Sequence, residues 1–297
     1  MKQPHEHPID EAHRLLKIGI LLTFFIYLLE FFGGLWTHSL ALLSDSWHIF
    51  IDLWGLLISF FAIHVAQRPT NDRRTFGLHR MEVFAATLNG LTVFLIALGI
   101  LYAAWNRFQQ PVEVHARRLM GVAGISLCFN LGAAALFYRQ SHQDMNIRGA
   151  FVHLMGDALN TLAVFIAAFL IGWTHSPRID PVVSGLIALI VLWSAGRLLK
   201  DSLNTLLEGV PKGIKVPDVE AEIMRVKGVL SVHDLHVWSI CSHLNALSGH
   251  VLLGADEMPH QNRVLERIGE TLKNRFGIAH TTIQVESKGW TNAEHVF

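Results

Sequence analysis

Residues Ser44 to Asp52 read SDSWHIFID, and they interrupt an apolar run over about 39 to 66 that is long enough to cross a bilayer. Two aspartates and a histidine inside hydrocarbon are costly unless each finds a partner. On a helix, positions three, four and seven apart share a face, so Asp45, His48 and Asp52 form one stripe. The stretch sets two expectations together: a membrane-spanning helix, and a partner for its polar stripe elsewhere in the chain.

The rest of the chain supports the spanning reading. Of 297 residues, 51% are hydrophobic and 16% charged, which is more apolar and less charged than an average soluble domain. Further apolar runs over about 15 to 36, 82 to 104, 117 to 138, 149 to 173 and 181 to 199 each approach the roughly 20 residues that a spanning helix requires. Six transmembrane helices are expected over residues 15–206, after a polar segment 1–14 that carries His5, His7 and His13. The first run lacks a small-residue cleavage signal, so a removable signal peptide is not expected. The formal net charge is zero, and with the membrane commitment this leaves lipid, and no nucleic acid, as the expected surroundings. Two cysteines are too few for a disulfide framework, and Cys128 and Cys241 are expected to be packing residues.

Basic residues set the orientation. Arg68, Arg73, Arg74 and Arg80 between spans 2 and 3, Arg139 and Arg148 between spans 4 and 5, and Lys2, Arg14, Lys17, Lys200, Lys212 and Lys215 fall on one side. The opposite loops hold Arg107, Arg117, Arg118 and Arg178. The larger set places both termini in the cytoplasm.

After about residue 207 the texture changes to a proline-bearing, helix-then-strand pattern with no further run long enough to span. Residues 207–297 read as a cytoplasmic domain with an αββαβ order, its strands over about 230 to 239, 246 to 253 and 280 to 286 and its second helix over about 261 to 275. A sheet this small often completes its burial against a second copy.

The partner for the opening stripe appears in the fifth span. In GAFVHLMGDALNTL, His153, Asp157 and Asn160 again share one face. Either residue alone has a plain alternative as a hydrogen-bonded packing group or the lining of a wet vestibule. Two H-x-x-x-D pairs in separate spans are harder to assign that way. Placed face to face, they offer two imidazole nitrogens and two carboxylate oxygens, which close a tetrahedron around a dication. Zn²⁺ suits that donor set best, while Cd²⁺, Co²⁺, Ni²⁺ and Fe²⁺ remain open. Two ionised aspartates cancel the cation's charge, and protons compete with metal for the histidines, so the site can exchange one for the other. Glu30, Asn89, Asn130 and Asp180 are expected to pair with one another or with water between helices, and Arg80 and Glu82 to form ion pairs that fix packing.

SDSWHIFIDLWGL, RRTFGLHRMEVFAATLNG, GAFVHLMGDALNTL, DSLNTLLEGVP, VHDLHVW and HTTIQVE, in that order along essentially the whole chain, together resemble the cation diffusion facilitator family, and specifically its zinc-type members. The resemblance implies a homodimeric metal/proton antiporter, not an enzyme, with six transmembrane helices and a metallochaperone-like α+β cytoplasmic domain. It maps the transport site onto His48, Asp52, His153 and Asp157. Manganese-type members replace the histidines with acidic residues, and this chain keeps both. Asp45 falls where the family commonly has an acidic residue, with a supporting role in hydration or proton access.

The resemblance also implies a metal site in the cytoplasmic domain from His233, His250 and Glu286, with His260 and His280 as nearby candidates. Gln284 stands where some members have a histidine. It is a poor zinc ligand, so a single site is expected there instead of a two-metal one. The plain alternative is exposed strand histidines with no metal. His79, with Asp72 nearby, corresponds to a region that holds an interfacial metal in some members. The loop between spans 4 and 5 has only His142, so metal delivery by a His-rich loop is not expected, and His5 and His7 offer at most weak capture. The expected function is proton-coupled export of a divalent transition metal from the cytoplasm across a bacterial plasma membrane, with no cofactor beyond the transported or regulatory ion. The rivals are a membrane metal sensor and an intramembrane metal-dependent hydrolase, and the hydrolase is disfavoured because four donors leave no open position for water.

Overall fold

The computed structural model describes residues 8–138, 141, 145–241 and 244–287. His5, His7 and His142 lie outside them, as do Lys2 and Arg139. Six long helices come first: α1 (Pro8–Thr37), α2 (Leu40–Ala66), α3 (Arg80–Gln109), α4 (Ala116–Tyr138), α5 (Met145–Thr174) and α6 (Ile179–Leu206). All six are long and apolar enough to cross a membrane, α1 from Ile18 onward. Leu21, Phe60, Tyr102, Trp173 and Trp193 are exposed on them, as lipid-facing side chains must be. The chain divides into two compact units, residues 1–58 with 89–197 and residues 59–88 with 198–297.

In the first unit, α2 begins where the sequence supplies donors and acceptors for a helix start. Ser39 accepts a hydrogen bond from the Leu42 amide at 3.2 Å, the usual N-cap arrangement. Asp180 then completes the cap from α6: it accepts from the Ser39 hydroxyl at 2.5 Å and from the amides of Leu40 and Ala41 at 2.7 and 3.3 Å. Its role therefore differs from the expected pairing among buried polar residues, because a helix start with orphan amides is the stronger claimant for a carboxylate. Leu42, Leu119, Val164, Ile171 and Ile187 tie α2, α4, α5 and α6 together. Phe137, Ile147 and Leu154 add a second apolar cluster between α4 and α5. The close approach of α1 to α4 depends on Gly33, where a β-carbon would lie 2.5 Å from Val122 Cγ1. Arg118 and Arg178 sit over the rings of Trp36 and Phe108 at 5.1 and 5.7 Å. Cys128 is exposed on α4 and so is not the packing residue expected, whereas Cys241 is buried.

The second unit carries α7 (Val216–Met224), β1 (Val229–Cys241), β2 (Leu244–Leu253), a 3₁₀ turn at Met258–His260, α8 (Gln261–Phe276) and β3 (Ile278–Ser287). The sheet order is β1-β2-β3, with β1 antiparallel and β3 parallel to β2. A parallel neighbour needs a crossover, and α8 supplies it. Val264, Ile268 and Leu272, four residues apart, place one stripe of α8 in the core with Leu247, Val251, Leu253 and Ile278. Gly277 ends α8 in the left-handed conformation, φ 65°, which a residue without a β-carbon adopts at no steric cost. The expected strands are all present, with ladder pairs that extend past the expected limits, as at Asn245, whose side-chain Oδ1 also accepts from the Ser239 hydroxyl at 2.8 Å. Arg80, expected to form an ion pair, does so with Glu208 at 2.7 Å.

Candidate metal centres

Among the described residues, two clusters of metal-ligating side chains form, one in each unit. In the first, α2 and α5 each present a histidine and an aspartate four residues apart. His48 Nε2 lies 3.6 Å from Asp52 Oδ2, His153 Nε2 lies 3.6 Å from that same oxygen, and His153 Nε2 lies 3.7 Å from Asp157 Oδ2. One ligand atom each from His48, Asp52 and Asp157 fall within 4.8 Å of one another. Separations of 3.6 to 3.7 Å are too long for hydrogen bonds. They are close to the roughly 3.3 Å between ligands that a tetrahedral Zn²⁺ with bonds near 2.0 Å imposes. Asp52 Oδ2 has no hydrogen-bond partner among the described residues, nor does His48 Nδ1. His153, the fourth expected donor, falls outside that group of three, although its Nε2 faces both Asp52 Oδ2 and Asp157 Oδ2.

Asp45 lies one turn before His48 and is 1% exposed. Its Oδ2 accepts from the Thr161 hydroxyl at 3.0 Å, and it pairs with none of the four donors. Thr161 also contacts Glu30 Oε1 at 3.3 Å and the Asp157 carbonyl at 3.0 Å, and accepts from Asn130 Nδ2 at 3.0 Å. Glu30 accepts from Ser126 as well. Thr161 and Ser126 escape a reading for charged or ligating residues, because in an apolar run each looks like an ordinary small packing residue. The one signal in the sequence is that Thr161 falls four residues after Asp157, on the same face.

The second cluster is built by strand register. Backbone pairing sets His233 of β1 opposite His250 of β2, and His250 opposite Gln284 of β3. Glu286 follows two residues later on the same face. Glu286 Oε2 lies 3.3 Å from His233 Nε2 and Oε1 lies 3.1 Å from His250 Nδ1, with the carboxylate 1% exposed. The two imidazole rings are 5.2 Å apart and nearly perpendicular. Gln284 donates to Glu286 Oε1 at 3.3 Å, so it holds the carboxylate instead of facing the histidines as a third base. Asp234 sits at an irregularity of β1 with φ 50° and approaches His250 Nε2 at 3.8 Å and His236 Nε2 at 3.0 Å. The other expected auxiliary residues lie elsewhere. His260 sits at the position before α8 without a side-chain capping hydrogen bond, His280 packs edge-on against the ring of Phe76 at 5.9 Å, and His79 stands beside Gly77 in the turn before α3.

A six-span membrane protein with borderline nitrogen and oxygen donors facing one another inside its helices belongs to the class of integral membrane proteins that handle metal cations. Comparison with known proteins makes this specific. Residues 16–207 match the cation efflux transmembrane domain and residues 211–288 match the cation efflux protein cytoplasmic domain. The chain belongs to the cation efflux, or cation diffusion facilitator, family, whose members are transporters and not enzymes. It is 37% identical to the metal cation efflux system protein CzcD of Cupriavidus metallidurans over 95% of this chain and 89% of that one. It is 35% identical to the cadmium, cobalt and zinc/H(+)-K(+) antiporter of Bacillus subtilis, covering 96% of this chain and 92% of that one. It is 34% identical to the zinc transporter ZitB of Escherichia coli, covering 96% and 93%.

Proposed function

We propose that this chain exports Zn²⁺, and with it related dications such as Cd²⁺ and Co²⁺, from the cytoplasm in exchange for protons, through His48, Asp52, His153 and Asp157. The observation that carries the reading is the facing pair of i, i+4 His and Asp side chains on α2 and α5, 3.6 to 3.7 Å apart. Two carboxylates neutralise the bound dication at membrane depth, and two imidazoles bind it only when deprotonated. Metal enters from the cytoplasm, the helices present the site to the far side, and protonation there releases the ion. The names of the relatives, which include zinc, cadmium and cobalt efflux, support the choice of cation.

The protein acts as a homodimer in a bacterial plasma membrane with both termini in the cytoplasm. Residues 1–14 form an N-terminal segment, 15–206 the transport domain and 207–297 the tail. His233, His250 and Glu286 bind a regulatory metal there, tightening the dimer when cytoplasmic metal rises. Three donors of this kind fit Zn²⁺ with a fourth position left for water.

Proteoliposomes loaded with a zinc dye and given a pH gradient test the transport reading. Wild type admits zinc in proportion to the gradient, and Asp157→Ala does not, while both elute as one folded species. Flux in Asp157→Ala equal to wild type overturns the site. Binding without flux in wild type points instead to a sensor.

A further inference from the structure

The first unit holds a buried carboxylate that the four-donor site does not use. Glu30 of α1 is 0% exposed. The groups facing it are Ser126 and Asn130 of α4, Asp45 of α2, and Thr161 and Asp157 of α5. None of these is a cation.

Counting protons exposes a deficit. Thr161 Oγ1 lies within hydrogen-bond reach of three acceptors, Glu30 Oε1, Asp45 Oδ2 and the Asp157 carbonyl. A hydroxyl has one proton, so it serves one of the three. Asn130 spends its contribution on the Thr161 oxygen, and Ser126 serves Glu30 Oε1. Glu30 Oε2 and Asp45 Oδ1 are buried with no partner among the described residues. With both carboxylates ionised, Glu30 and Asp45 compete for the Thr161 proton, Ser126 is the one other donor to Glu30 among the described residues, and one oxygen of each carboxylate has no donor away from water, at a large cost. One added proton removes one of the two buried charges and ends the competition for the hydroxyl. Thr161 has a second lone pair beside the one Asn130 uses, so a neutral Glu30 donates into it, and the Thr161 proton is then free for Asp45 or the Asp157 carbonyl.

We propose that Glu30 is a proton-binding site outside the metal-ligand set, occupied while the four-donor site is empty and discharged to water when a dication binds. The inference rests on the metal/proton exchange reading and deepens it. Thr161 sits one turn from Asp157 and is the link: positive charge placed on Asp157 favours the ionised form of the carboxyl that shares its hydroxyl. Glu30 then adds to the protons exchanged per metal, beyond those the histidines lose.

Full-length protein in lipid tests this by two readouts. Zinc-minus-apo infrared difference spectra of wild type should show loss of a protonated carboxylic acid C=O stretch, and Glu30→Gln should lack that loss. Protons released per zinc bound should fall by about one in Glu30→Gln, with zinc affinity within about threefold of wild type. Thr161→Val, which removes the acceptor and keeps the carboxyl, should shift the acid band without abolishing it, and it serves if Glu30→Gln does not fold. A proton count and spectrum in Glu30→Gln identical to wild type overturn the proposal. So does the absence of any acid band in wild type, which would leave a buried water serving two ionised carboxylates. A wild type that releases no protons at all on binding zinc overturns the exchange reading itself, a result distinct from release that persists unchanged without Glu30.

Discussion

The two donor clusters use nearly the same residue types and are assembled by different means. In the membrane part, each helix carries its own histidine and aspartate at i, i+4, so half the site is local and only the facing of α2 and α5 is long-range. In the tail, every donor comes from a different strand, and two ladder registers bring His233, His250 and Glu286 together. The contrast extends to their slack. The membrane donors stand 3.6 to 3.7 Å apart, whereas Glu286 already contacts His250 at 3.1 Å. A cluster drawn together by close imidazole–carboxylate contacts suits a site that holds its ion. One that stays open suits a site that must take up and release a cargo.

The sharpest way to break that comparison is to delete one carboxylate from each. Asp52 Oδ2 stands 3.6 Å from both His48 and His153, so Asp52→Ala removes the charge that the two histidines share. Zinc flux in proteoliposomes should fall by about a hundredfold or more, the scale at which loss of a direct ligand exceeds loss of its outer support. Glu286→Ala should leave flux within about tenfold of wild type while tail zinc affinity, read by calorimetry in an Asp52→Ala background, drops about a hundredfold. Equal flux losses in the two variants would mean that the tail is part of the transport path and that the division between cargo site and holding site is wrong.

The same contrast explains which parts of the molecule were legible from sequence. His48, Asp52, His153 and Asp157 stand out because a charged residue in an apolar run is conspicuous and helical spacing is fixed, so half of each pairing follows from arithmetic. The tail triad depends on strand register, which spacing along the chain does not determine, and only the resemblance to a known family singled out His233, His250 and Glu286. His260 and His280 were nearby candidates, yet His260 falls at the start of α8 and His280 packs against Phe76. Asp180 was visible as an acidic residue but not as a cap, since its partners lie about 140 positions away in α2. Ser126 and Thr161 were invisible because hydroxyls are common in packed helices, and their importance comes from the carboxylates that the fold places against them.

A smaller effect tests whether the membrane site selects its cation by donor type. His48→Asp exchanges a borderline nitrogen for a hard oxygen without emptying the position, so the site becomes one imidazole and three carboxylates. The preference for Zn²⁺ over Mn²⁺ should narrow by about tenfold in competition flux, following ligand hardness. The same exchange at His250 in the tail should weaken zinc binding without any gain for Mn²⁺, because Asp234 and Glu286 would then crowd a third carboxylate with no helix offset to separate them. Unchanged selectivity in His48→Asp would mean that the geometry of α2 against α5, and not the donor set, chooses the ion.

The smallest expected effect concerns the scaffold that keeps the membrane cluster open. Gly33 lets α1 lie against α4 so closely that a β-carbon would meet Val122 Cγ1 at 2.5 Å, and this contact is three residues from Glu30, hence on the same face. Gly33→Ala must push the helices apart or turn Val122 off its rotamer, at a cost of about 1 to 3 kcal/mol. Thermal unfolding in detergent should show a midpoint a few degrees lower. Val122→Ala in the same chain removes the clashing methyl groups and should restore most of the loss, as non-additivity between touching residues requires. In the tail, α8 meets the sheet differently, with Val264, Ile268 and Leu272 filling the space between them with full-sized side chains. If Gly33→Ala is neutral and Val122→Ala brings no relief, then α1 is held loosely, and the hydrogen-bond network around Glu30 loses the rigid frame on which its donor count depends.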